Sequence, residues 1–147
     1  VADQAILDNL TKAATTFRWL IENTDRSKLT EDFENFPVRS GVGASILLAQ
    51  YLIDLGYGIP TYVRGELYGS IPWAHAWIEL DGIILDITLD GLYSDVPPVI
   101  VTEGSYWHEI FKRLDEHLVT INVFNKRNAS MFQAAYHEII GIGLQVH

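Results

Sequence analysis

Apolar positions recur at helical spacing between Asp3 and Glu22, where Ile6, Leu7, Leu10, Ala13, Ala14, Phe17, Leu20 and Ile21 fall on one face. The pattern predicts a long amphipathic helix within residues 1–25, packed on the rest of the chain. The next stretch, "NTDRSKLTEDFENFP", is polar and turn-prone, a surface connection ending at Pro37. From about Val42 to Leu55 the pattern changes. Ile46, Leu47, Ala49, Tyr51 and Leu52 make this segment apolar nearly all round, which predicts a buried central helix ended by Gly56 and Gly58.

Period-two signals follow. "TYVRGELYG" is rich in strand formers without clean alternation. "PWAHAWIEL" alternates, with Trp73, His75, Trp77 and Glu79 on one face and Ala74, Ala76, Ile78 and Leu80 on the other. Asp81-Gly82 is a two-residue hairpin turn, and "IILDIT" the returning strand. Then "LDGLYSDVPP" reads as loop, "VIVT" as a short strand, and "EGSYWHEIFKRLDEHL" as largely helical. "NASMFQAAYHEII" predicts a last helix over 127–141, with Asn128 as N-cap and Gly141 as its stop. Helices, then antiparallel strands, then helices give an α+β class: one domain over 1–147, a central buried helix on a small antiparallel sheet.

Composition narrows the partners. The 147 residues hold 19 acids and 10 bases, for a net charge of −9. Only Lys112-Arg113 and Lys126-Arg127 are adjacent bases, so neither nucleic acid nor an anionic membrane is an expected partner. With no cysteine, disulfides and thiolate metal sites are excluded, though the compartment stays open. No apolar run approaches the roughly 18 residues of a membrane span and no signal segment opens the chain, so a soluble domain is expected. A start at Val1 suggests trimming, or a domain cut from something longer.

The loop Ser40-Gly41-Val42-Gly43-Ala44-Ser45 runs straight into the buried helix. Such loops cradle a phosphate or place a nucleophile at a helix N-terminus. The phosphate reading is poorly supported: Ile46 stands where a third glycine belongs, no strand precedes, and no Gly-Lys-Ser/Thr occurs. On the hairpin, a turn at Asp81-Gly82 pairs residues whose numbers sum to about 163. Asp86 then lies diagonally across from His75, within side-chain reach. An imidazole beside a carboxylate is held in one tautomer and stabilised as a cation, as a neutral-pH base requires. The pair could equally be purely structural; Trp73 and Trp77 would wall it from water. Uncompensated N–H groups at a helix N-terminus lower a thiol's pKa and stabilise an oxyanion.

"FPVRSGVGASILLAQYL", "HAWIELDGIILDIT", "PPVIVT" and "SYWHEIF" together resemble a bacterial group of the papain-like, transglutaminase-like superfamily. That group reads Phe-Pro-x-Gly-x-Cys-Gly-x-Ala-Ser before a Leu-rich helix, then His-Ala-Trp-Leu-Glu-x-Asp-Gly and Ile-x-Asp-Ile-Thr. The resemblance spans about Asn35 to Phe111 and implies a catalytic-type core over 41–111. It implies His75 as base, Asp86 as its orienting acid and Asn35 as an oxyanion donor, with Ser40, Trp73 and Trp77 near the substrate. The implied chemistry is cysteine-dependent amide acyl transfer on a peptide or protein side-chain amide: hydrolysis, deamidation or transamidation, with no cofactor.

The nucleophile is the departure. The family cysteine aligns with Gly41, and Arg39 and Val42 replace two family glycines. Either the cysteine has been replaced to trap an inactive form, or the protein is a pseudoenzyme that binds a peptide or protein in the old cleft. Ser40 is one residue off the nucleophile position, and Ser45 reads as packing. His108, His117 and His137 do not form a metal set, and His137-Glu138 lacks the second histidine of a zinc helix. Tyr106 and Trp107 read as packing, Glu66 and Tyr68 as a solvated face near the pocket, and Asp81, Asp90 and Asp95 as turn residues.

Overall fold

The computed structural model describes residues 2–67, 70–121 and 125–145, with backbone alone at 70–73 and 145. Helix α1 (Gln4–Glu22) opens at Asp3, whose carboxylate accepts the Ala5 N–H. Its apolar stripe buries Leu10, Ala13, Ala14, Phe17, Leu20 and Ile21. Helix α2 (Gly41–Asp54) is buried over Gly43–Ala49 and at Leu52, as an all-round apolar pattern requires.

Five antiparallel strands follow: β1 (Thr61–Leu67), β2 (Ser70–Leu80), β3 (Ile83–Asp86), β4 (Ile100–Thr102) and β5 (Lys112–Leu118), in spatial order β4-β3-β2-β1-β5. The fold is α+β. The β2–β3 hairpin has the expected register, Ile78 opposite Leu85 and Leu80 opposite Ile83. Asp81 and Gly82 both take positive φ at the turn, 51° and 81°. β1 lacks clean alternation because its register shifts around Gly65 against both neighbours.

The sheet's two faces bury different partners. Ala76, Ile78, Leu80, Leu85 and Ile87 pack with α1, α2 and the last helix, within residues 126–145, in the main core. Val63, Trp77 and Ile84 pack with Leu89, Val96 and Phe111 from the segment between β3 and β5. The second cluster carries the histidine face of β2.

Two expectations are corrected. Of "EGSYWHEIFKRLDEHL", only Tyr106–Glu109 is helical (α3); Lys112–Leu118 is the edge strand β5. Every residue of β5 is exposed, so no buried face holds this segment as a helix. The open backbone edge of β1 captures the segment, and its charged side chains suit a sheet edge. The last helix, α4 (Lys126–Gln145), starts earlier and ends later than expected. Asn125, not Asn128, is the cap: its carboxamide oxygen accepts the Asn128 N–H at 2.9 Å. Gly141 does not stop the helix, because Ile139, Ile140 and Ile142 continue its buried face past that point. That burial outweighs the roughly 1 kcal/mol cost of a helical glycine.

Candidate active site

Asp86 ends β3 as a fully buried carboxylate, and three donors converge on it. His75 Nε2 and His108 Nε2 each lie 2.7 Å from Oδ2, and the Thr88 N–H donates to Oδ1 at 2.9 Å. A carboxylate can only accept, so both imidazoles carry their proton on Nε2 toward it. Burial alone would raise the Asp86 carboxyl. Electrostatic attraction to His75, the hydrogen bonds from both histidines and attraction to His108 outweigh that burial and hold it well below the usual carboxylate range.

His75 is mid-strand on β2, 8 % exposed, with Trp77 stacked beside it at 6.1 Å and Phe111 at 5.9 Å. With Nε2 committed to Asp86, Nδ1 points the other way, toward the start of α2. A Cβ built on Gly41 would sit 3.2 Å from that Nδ1 and 3.3 Å from the Ala76 nitrogen. The approach is possible because β3 pairs with β2 only from Ile78 onward, which frees the flank of residues 75 and 76 for the helix. The Ser40 carbonyl accepts the Ala44 N–H at 2.9 Å, and no side chain caps this terminus. The N–H groups of the first turn therefore remain outside the helix's own ladder.

Gly41 and His75 open on a cavity of about 550 Å3 whose rim includes Val38, Arg39, Arg64, Thr88 and Leu92. Arg39 has φ 59°, a left-handed backbone that costs a non-glycine residue roughly 1–2 kcal/mol. Gly91 is where the two loops walling the cavity touch. A Cβ there would lie 2.6 Å from the Pro37 carbonyl carbon and 2.8 Å from the Val38 nitrogen, both backbone atoms that cannot rotate away. Gly91→Ala should therefore lower stability by about 1–3 kcal/mol. Thermal denaturation checks this; a Tm equal to that of the parent chain would show the loops separate freely.

The structure brings Gly41, His75 and Asp86 together and leaves Asn35, Ser40 and Ser45 turned away from them. Asn35 is exposed, lies outside the cavity lining, and only its carbonyl is used, accepting the Val38 N–H at 2.8 Å. Six residues of spacing did not reach the site because 35–38 form a turn closed by that hydrogen bond. Ser40 is fully buried, its hydroxyl donating to the Asp32 carbonyl at 2.7 Å, so it neither lines the cavity nor faces His75. Ser45 is buried in α2. Trp77 is a wall and not a contact surface: it is fully buried, edge-on to His108 at 4.8 Å, with its indole N–H on Glu79. The side chain of Trp73, and Tyr68, lie outside the described residues. Glu66 does not line the cavity.

Two residues of this site went unread in the sequence. His108, read from the sequence only as not forming a metal set with His117 and His137, shares Asp86 with His75. Its Nδ1 accepts from the Ser105 hydroxyl at 2.6 Å, while Ser105 caps α3. A serine N-cap three residues before a histidine was the available signal. Arg18, on α1, is 7 % exposed, and its Nη1 donates to Ile87 O, Pro98 O and Asp90 Oδ1. It ties down the loop that carries Thr88 and Leu92. Asp90 is thus an anchored partner as well as a turn residue. Among the described residues, no group of three His, Cys, Asp or Glu side chains is arranged to hold a metal ion, and no helix is long and apolar enough to cross a membrane.

Compared with known proteins, the chain matches no protein-family model, no curated protein and no solved structure.

Proposed function

We propose that this chain carries the frame of a papain-like, transglutaminase-like acyl-transfer site, with position 41 as the nucleophile's place. As a glycine chain it binds an amide-bearing peptide or protein without turning it over. One observation carries the reading: a Cβ at 41 would lie 3.2 Å from His75 Nδ1, while His75 Nε2 is committed to Asp86 at 2.7 Å. A base needs a free lone pair toward the nucleophile and an orienting acid behind it, and His75 has both.

With cysteine at 41, Nδ1 takes the thiol proton and the thiolate attacks the amide carbonyl carbon. The first-turn N–H groups of α2 face the developing oxyanion. His75 returns its proton to the departing amine, leaving an acyl-enzyme for water or a second amine. With glycine there is nothing to attack with, and the cavity with its charged rim remains as a binding site.

Gly41→Cys tests the frame by iodoacetamide labelling across pH. The thiol should be alkylated several-fold faster near pH 6 than in a Gly41→Cys, His75→Ala chain, because a thiolate paired with an imidazolium persists below the ordinary cysteine pKa of about 8.5. Labelling with an ordinary pH dependence, unchanged by loss of His75, would sink the reading. Gly41→Ala reports separately the strain of adding a Cβ against His75 and Ala76.

A further inference from the structure

We infer that the cavity beside His75 selects a carboxylate: it takes a peptide or protein segment that presents an acidic side chain or a free C-terminus next to the amide. This inference rests on the acyl-transfer reading for the amide and on the cavity itself for the acid.

Charge sorting is the first observation. The chain carries 19 acids and 10 bases, yet among the described residues the cavity lining holds Arg39 and Arg64 and no aspartate or glutamate. Asp86 keeps its negative charge behind His75, with its oxygens turned to three donors, and does not itself line the cavity. The first turn of α2, through Gly41 and Val42, adds uncompensated N–H groups to the same space. The net negative charge of the chain repels other acidic surfaces, while a positive concavity within it focuses field on a small anion that can enter.

The state of the two arginines is the second. Arg39 is exposed at the rim and has no ion-pair or hydrogen-bond partner among the described residues. It holds a left-handed backbone, φ 59°, where glycine alone would be free of strain. The position thus carries a strained, unpaired cation where the fold needs none. Arg64 pairs through Nε with Asp115 at 3.1 Å, and the remaining edge of its guanidinium is free to meet a planar carboxylate. Asp115 is half exposed on the edge strand, so this pair is screened and yields readily to a ligand. Two planar cations and a narrow turn of N–H groups fit one carboxylate; among the described residues no lysine lines the cavity, and the sequence has no Gly-Lys-Ser/Thr loop to cradle a phosphate.

The test is titration calorimetry of the chain with four blocked peptides. Acetyl-Ala-Gln-Glu-amide carries a side-chain acid and acetyl-Ala-Gln-Ala a free C-terminus; acetyl-Ala-Gln-Ala-amide is neutral and acetyl-Ala-Gln-Lys-amide basic. At least one acidic probe should bind about tenfold more tightly than the neutral one, with the basic probe weakest and the preference shrinking as salt is raised. Which acid wins tells side chain from C-terminus. Arg39→Gly should abolish most of the preference while leaving Tm equal or higher, since glycine suits that backbone; Arg64→Gln should reduce it. Equal affinity for acidic and neutral probes, no measurable binding of any, an intact preference in folded Arg39→Gly, or displacement of the probe by inorganic phosphate at lower concentration would each overturn the inference. Thiol labelling uses none of these probes, so the two readings fail separately: selectivity with an ordinary thiol at position 41 leaves the carboxylate site and removes acyl transfer, and the converse removes only the carboxylate.

Discussion

Replacing Asp86 with alanine should cost about 3–5 kcal/mol of folding stability, the largest loss expected from any single change at this site. Three donors lose their acceptor at once: His75 Nε2, His108 Nε2 and the Thr88 N–H, all in a region with His75, Asp86 and His108 buried. An imidazole can shed its proton and so avoid standing as an uncompensated cation, but its N–H and the Thr88 N–H still go unmet, at about 1–3 kcal/mol each. Asp86→Asn should fare better. An amide oxygen can serve Thr88 while the amide NH2 donates to both imidazoles, provided each moves its proton to Nδ1. For His108 that requires the Ser105 hydroxyl to turn and accept, which a hydroxyl does freely. For His75 the proton would then face position 41, the wrong tautomer for a base. Urea unfolding should therefore rank the parent chain above Asp86→Asn and Asp86→Ala lowest. In the Gly41→Cys background, Asp86→Asn should return the thiol to ordinary labelling despite a sound fold. If Asp86→Ala unfolds at the parent's urea concentration, the carboxylate is not what holds the two histidines.

The same carboxylate sets a pH dependence. Its folded pKa lies below its ordinary value of 3.8, so the unfolded chain binds the proton first as pH falls. The contribution of Asp86 is complete above about pH 4–5 and drains away as pH drops through 3.8 toward the folded value. Urea midpoints at about pH 5 and pH 3 should fall further for the parent chain than for Asp86→Asn.

Arg18→Ala should cost about 2–4 kcal/mol and loosen the cavity without touching it. Its Nη1 gathers Ile87 O at 2.9 Å, Pro98 O at 2.9 Å and Asp90 Oδ1 at 2.6 Å, and its guanidinium lies 5.2 Å from the centre of the Phe36 ring. One side chain thus braces both loops that wall the site, one through hydrogen bonds and the other through a ring face. Its Nε, by contrast, is buried with no hydrogen-bond partner, so the fork of the guanidinium is not what the site uses. Three oxygens converge on a single nitrogen, an arrangement that the three N–H bonds of an ammonium also suit. Arg18→Lys, one atom shorter, should recover part of the loss. Proteolysis within residues 87–98 should quicken in Arg18→Ala and slow again in Arg18→Lys. Equal cleavage in all three chains would mean the loop holds itself.

Local pattern carried far at the hairpin. Alternation in "PWAHAWIEL" and the Asp81-Gly82 turn specified the register, and with it the diagonal approach of Asp86 to His75, because a two-residue turn leaves no freedom in which residues pair. It failed at "KRLDEHL", where the expected helix lost to the unpaired edge of β1. An edge is a property of the assembled sheet and has no trace in the segment it recruits.

Amphipathic α1, buried α2 and the β2–β3 hairpin with His75 and Asp86 are properties of the chain read in order, since periodicity and turn chemistry act over a few residues. Assembly in three dimensions decided the rest: His108 arriving 22 residues on to share the Asp86 oxygen, Arg18 reaching from α1 to hold the loop after β3, and Asn35 and Ser40 turned away from the site. Those contacts depend on which surfaces must be buried together and which carbonyls must find donors. That accounting closes only when the whole chain has folded.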